Sequence, residues 1–128
     1  EVVYHGDHAY GMNVHRMDSH GGWIGSATDL IKFAQTVDGY KSIVDTLSRK
    51  STTLMATPSR VYSGYGRGWT LNPRHRNRWH TGRLPGTTSL LVRVDGDACF
   101  AGLVNISTNG LDEALDTLMW DIYAEVMA

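Results

Sequence analysis

The sequence predicts an α+β fold, an antiparallel sheet of about four strands with helices before it and a C-terminal helix packed on it. Three observations point there. A capped amphipathic stretch begins at Ser26, two apolar runs flank the turn pair Asp95-Gly96, and residues 109–127 carry an apolar stripe at helical spacing. In chain order, residues 1–25 read as irregular and rich in Gly and His. Ser26 is a good N-cap, and Asp29 three residues on makes a capping box. Leu30, Ile31, Phe33, Ala34 and Val37 follow at helical spacing, with Gly39 placed to close the helix. A second helix is expected over 42–55, ending before Pro58, so that 26–57 is helical.

Residues 60–106 read as antiparallel strands. A first strand is expected over 61–71, broken by Asn72-Pro73, and a second over 78–83. Strands over 87–94 and 98–106 are joined at Asp95-Gly96, where Gly adopts positive φ without steric cost. Both are nearly continuous apolar runs, which predicts a sheet covered on both faces. Asn109 is the expected cap of the last helix. Its stripe is Leu111, Leu115, Leu118, Ile122 and Val126, widened by Ala114 and Met119.

Composition narrows the function classes. The 128 residues are one domain's worth of chain, 41% hydrophobic and 20% charged, which is ordinary for a packed domain. A net charge of -1 gives no electrostatic case for nucleic acid or anionic membrane. No run approaches the roughly 18 apolar residues of a membrane span. One cysteine, Cys99, cannot form an intrachain disulfide and reads as a buried packing residue. His5, Asp7, His8, His15, Asp18 and His20 match no ligand spacing, so no metal is expected there. Arg74, His75, Arg76 and Arg78 read as a solvated hairpin tip.

Three segments carry chemistry. Gly21-Gly22-Trp23-Ile24-Gly25-Ser26-Ala27-Thr28-Asp29-Leu30 comes first, then Tyr65-Gly66-Arg67-Gly68-Trp69, then His80-Thr81-Gly82 running on through Pro85-Gly86 to Leu90. In that order and spacing, with Val104-Asn105 after them, they resemble the C-terminal part of the serine β-lactamase and penicillin-binding-protein superfamily. The resemblance implies a partial β-lactamase/transpeptidase-like fold and a hydrolase that acylates a serine. It further implies that His80 supplies a hydrogen bond or positive charge, that Thr81 offers a hydroxyl to a substrate carboxylate or ester, and that Gly82 lets the substrate lie flat on the strand. The backbone N–H of Arg83 would be one oxyanion-hole donor. On the residues alone, His80 reads as a surface strand histidine, and Tyr65 and Trp69 as packing residues.

The family's other motifs are absent from these residues. No Ser-x-x-Lys occurs, since Asp29, Asp38 and Leu47 stand three before Lys32, Lys41 and Lys50. No Tyr-x-Asn occurs, and Ser107-Thr108-Asn109 follows the His-Thr-Gly run where the family's Ser-x-Asn precedes it, so it reads as a capping turn. The expectation is a fragment of a DD-peptidase, β-lactamase-like enzyme or esterase, inactive by itself. The start at Glu1 suits a cut or processed product. The alternative is a non-catalytic binding or assembly module that keeps the sheet. The family uses no metal, so no cofactor is expected. The expected partners are a small-molecule or peptide substrate in the parent and a second copy paired through an open sheet edge. An extracytoplasmic location for the parent follows from the resemblance alone.

Overall fold

A computed structural model describes residues 14–96 and 98–128. Its elements are α1 (Val14–Met17), α2 (Ala27–Gln35), α3 (Arg49–Met55), β1 (Thr70–Asn72), β2 (Asn77–Leu84), β3 (Thr87–Val94), β4 (Ala98–Val104) and α4 (Leu111–Met127). The strands form one antiparallel sheet in the order β1-β2-β3-β4. The α+β expectation holds, and Gly96 sits at φ +88° in the β3–β4 turn. The short α1 lies inside the stretch expected to be irregular.

Helix α2 forms because its N-terminus is satisfied twice. The Asp29 N–H donates to Ser26 Oγ at 3.2 Å, and the Ser26 N–H donates back to the Asp29 carboxylate at 2.9 Å. The helix stops at Gln35, with Thr36 as C-cap, four residues before Gly39. Helix α3 is shorter than the expected 42–55. Ser48 caps it by accepting from the Ser51 N–H, while the Thr46 N–H donates to the Thr36 carbonyl and so holds the preceding residues as a loop against the end of α2.

The expected strand over 61–71 is reduced to Thr70–Asn72, with a single bridge from Thr70 to Tyr65. The Gly-spaced segment folds back on itself, since the Gly66 N–H donates to the Trp69 carbonyl and the Leu71 N–H to the Gly64 carbonyl. Gly66 is required there by a close approach: a Cβ would collide with the Met55 backbone carbonyl.

Strand β3 is buried on both sides, as its apolar run predicts. Leu91 packs with Ala34, Val37 and Trp69 beneath α2, while Leu90 and Val92 pack with Phe100 and Leu115 beneath α4. Each buried leucine, valine or phenylalanine among these contributes roughly 1.5–3 kcal/mol by leaving water. Helix α4 departs from its expected stripe. Leu115 is buried and Met119 packs beside it, as expected, but Trp120 and Tyr123 make the rest of the contact, because both rings close on Phe100 with centroids at 5.0 and 5.6 Å. Leu118, Ile122 and Val126 are left exposed. The cap differs too. Gly110, in the left-handed region, is the N-cap, and Asn109 makes no cap bond.

Candidate functional site

The site is built on the second half of β2, and hydrogen-bond parity gives that half an open edge. Residues of an antiparallel pair alternate between bonded and non-bonded positions. The Leu71 N–H turns away from β2 to Gly64, so the Leu71–Arg78 pair is non-bonded, and Asn72–Asn77 and Thr70–Trp79 are the bonded pairs. The backbone groups of Asn77, Trp79, Thr81 and Arg83 therefore all face the β1 side. Strand β1 pairs no farther along β2 than Trp79. The N–H groups of Thr81 and Arg83 thus lie on an edge that no described strand covers, while β3 holds the other edge as far as Leu84.

His80 stands beside this edge with both ring nitrogens engaged. Nδ1 is 2.7 Å from the Thr81 carbonyl and Nε2 is 3.0 Å from the Tyr65 hydroxyl. A carbonyl only accepts, so Nδ1 carries a proton. In the neutral ring Nε2 is then bare and accepts from the Tyr65 O–H. The rings meet edge-on with centroids 6.2 Å apart. Tyr65 is thus a partner of His80, where sequence reading gave it only a packing role. The register explains the meeting, because Tyr65 bridges Thr70 and Thr70 pairs with Trp79, the neighbour of His80.

Successive side chains of a strand point to opposite faces. His80 and Gly82 share the α2 face, while Thr81 and Arg83 share the α4 face, so the run flanks the edge from both sides. A Cβ on Gly82 would meet Ser89 Oγ on β3 and turn that hydroxyl aside. Thr81 is exposed and lines a cavity of about 640 Å³ between β2 and α4. Arg83 lines a second hollow of about 650 Å³ with Asn105 and Ser107.

The Arg83 side chain has a role that sequence reading missed. Nε donates to Ser107 Oγ and Nη2 to Asn109 Oδ1, both at 3.1 Å, and Nη1 lies 3.9 Å from Asp112. Ser107 and Asn109, read as a capping turn, instead receive this guanidinium. The residue whose N–H faces the open edge is thereby tied to the start of α4. These groups are half-exposed, so the fork fixes position more than it adds stability.

The far end of β2 is fixed by a buried polar hub. Arg93 Nε donates to Asp38 Oδ2 at 2.8 Å, the Tyr40 N–H donates to Asp38 Oδ1 at 2.7 Å, and Arg78 Nη2 donates to the Asp38 carbonyl at 2.6 Å. Arg93 also stacks on the Tyr40 ring at 4.2 Å and donates to the Val94 and Ala98 carbonyls. Arg78 was expected at a solvated tip and is buried. The signal available in sequence was Arg93, a lone cation inside an apolar strand. At Asp29, the backbone N–H and hydroxyl of Ser26 pull the carboxyl below its ordinary pKa.

Among the described residues no group of three His, Cys, Asp or Glu could hold a metal ion. His5, Asp7 and His8 lie outside the described residues. Asp18 accepts from the Trp23 indole N–H at 2.6 Å. Cys99 is half-buried rather than buried. No described helix is long and apolar enough to cross a membrane. A family model described as Beta-lactamase matches residues 2–124. Comparisons with curated proteins and with solved structures return no significant match.

Proposed function

The chain belongs to the beta-lactamase family, and from that premise we propose that it forms one wall of an acyl-transfer site in a serine hydrolase whose nucleophile lies on sequence outside these 128 residues. The observation that carries this reading is the edge of β2 that no described strand covers, where the N–H groups of Thr81 and Arg83 face outward beside a His80 bonded to Tyr65. An acyl substrate laid along this edge presents its carbonyl oxygen to the Arg83 N–H. A donor so placed is worth roughly 10²–10³ in rate when it meets the developing oxyanion. The Thr81 hydroxyl and the His80 ring flank the same substrate from either face and serve its carboxylate or ester oxygen.

The substrate class on this reading is a D-alanyl peptide, a β-lactam or an ester. The test is turnover of a D-Ala-D-Ala peptide, a fluorescent penicillin and a p-nitrophenyl ester by the full-length gene product. Turnover of at least one, lowered by His80→Ala and Thr81→Val, is expected. Binding without turnover of any, together with no Ser-x-x-Lys elsewhere in the product, would replace this reading with a non-catalytic module.

The isolated chain also self-associates on this reading. Strand β4 is the outer strand among those described, with Leu103 and Ile106 exposed on it and just after it, and Leu118, Ile122 and Val126 are exposed on α4, Val126 to 76%.

A further inference from the structure

Apart from the β2 edge, a cleft of about 780 Å³ opens between the loop after α2, helix α3 and the β1–β2 hairpin. Tyr65, His80 and Thr81 take no part in its lining. The volume falls within the range of small-ligand pockets.

The inner wall of this cleft holds Arg78, Arg93 and Asp38, which are 8%, 1% and 7% exposed. The Asp38 carboxylate is committed to Arg93 and to the Tyr40 N–H. Arg78 touches a carbonyl instead, through Nη2 alone, and lies 5.8 Å from the centre of the Trp69 ring. No described carboxylate pairs with its guanidinium. A guanidinium carries five N–H donors and stays cationic in proteins, so a buried one that meets only neutral acceptors is an incompletely compensated charge. Burial, and then the neighbouring Arg93, both disfavour its charged form, while Asp38, Tyr40 and Asp45 offset them in part.

The rim adds charge of the same sign. Lys41 and Arg49 are exposed on it, while Arg76 is offset by its 3.3 Å pair with Asp95. Asp45, nearby, receives the Gly39 N–H. This local excess of cation contrasts with a whole-chain charge of -1.

We propose that this cleft binds the oxyanion of a small ligand, a phosphate or carboxylate group, with Arg78 at its floor and Lys41 and Arg49 at its rim. An oxyanion there meets a planar fork of charge-assisted donors, the arrangement in which arginine recognises such groups best. It also supplies the charge that Arg78 lacks. The assignment is independent of the acyl-transfer reading and uses none of its residues.

The test is calorimetric titration of the full chain with inorganic phosphate and, separately, with acetate, at constant ionic strength held with chloride. Saturable one-site binding of at least one anion is expected, weakened at least fivefold in Lys41→Gln/Arg49→Gln. Both substitutions are on exposed side chains, and the variant's melting temperature in chloride should match the parent's. Tighter binding of phosphate assigns a phosphorylated ligand, and tighter binding of acetate a carboxylate. Absence of saturation with both anions, or equal affinity in the double variant, overturns the proposal. Arg78→Lys is the second arm. It keeps the charge and loses the fork, so affinity should fall while the chain stays folded; a folded Arg78→Lys chain with undiminished affinity would also overturn it.

Discussion

Replacing Asp38 by alanine tests the polar hub that fixes the far end of β2 and β3. The Asp38 and Arg93 side chains are only 1% and 2% exposed, and they meet at 2.8 Å. Removing one partner of such a pair leaves a buried charge without its counter-ion, which costs about 3–5 kcal/mol. The Tyr40 N–H loses its carboxylate acceptor at the same time, a further ~1 kcal/mol. The Val94 and Ala98 carbonyls and the Tyr40 ring remain to Arg93, so the lower part of the combined range, about 4 kcal/mol, is the expected loss. Domains of this size are stable by only about 5–15 kcal/mol. In urea, at a slope of about 2 kcal/mol per molar, the midpoint moves down by about 2 M. The informative companion is Asp38→Leu/Arg93→Met, which removes both charges. Because desolvation of the pair is removed with it, the double variant should recover to within about 2 kcal/mol of the parent. Circular dichroism through the urea transition measures all three proteins. A loss below about 1 kcal/mol in Asp38→Ala, or a double variant no more stable than the single, would refute the hub as described.

Tyr65→Phe removes one hydrogen bond from His80 and leaves the bond from Nδ1 to Thr81. At about 1 kcal/mol, the population of the Nδ1–H tautomer relative to Nε2–H should fall about fivefold, read from the imidazole ¹⁵N shifts of the neutral ring; an unchanged ratio would show that Tyr65 does not set the tautomer. Asp29, whose carboxyl is held low by Ser26, contributes stability that is complete above the ordinary aspartate pKa and is lost as pH falls through the depressed folded value. Asp29→Asn should therefore flatten the acid limb of the melting-temperature profile, and an identical limb in both proteins would contradict the capping account. Light scattering of the isolated chain at high micromolar concentration should report a mass above that of one chain, while a strict monomer would count against the exposed β4 edge and α4 face as an association surface.

Much of the fold was legible because its signals are local. Ser26 and Asp29 announce a capping box, and Asp95-Gly96 announces a turn, since each acts on backbone within a few residues. What sequence missed depends on distant partners. The strand expected over 61–71 failed because the glycines that permit extended backbone also permit the fold-back that gives Leu71 to Gly64. The α4 stripe was misplaced because Phe100, on β4, draws in Trp120 and Tyr123 at the expense of Leu118 and Ile122. At the site, the His80-Thr81-Gly82 run was found by resemblance, but the Tyr65 bond to His80 and the Arg83 bonds to Ser107 and Asn109 follow only from strand register. Arg78 looked like one more cation of a solvated tip until its pairing opposite Arg93 carried it beneath the loop after α2.

The central claim is that β2 offers the edge that no described strand covers to an acyl group attached to a serine elsewhere. The most direct measurement is mass spectrometry of the full-length gene product after exposure to a penicillin and to a D-Ala-D-Ala ester, with the modified residue mapped by peptide digestion. The account predicts an acyl adduct on a serine outside residues 1–128, formed at least tenfold more slowly in Thr81→Val. An adduct on a serine within these residues, or none with either reagent, would contradict it.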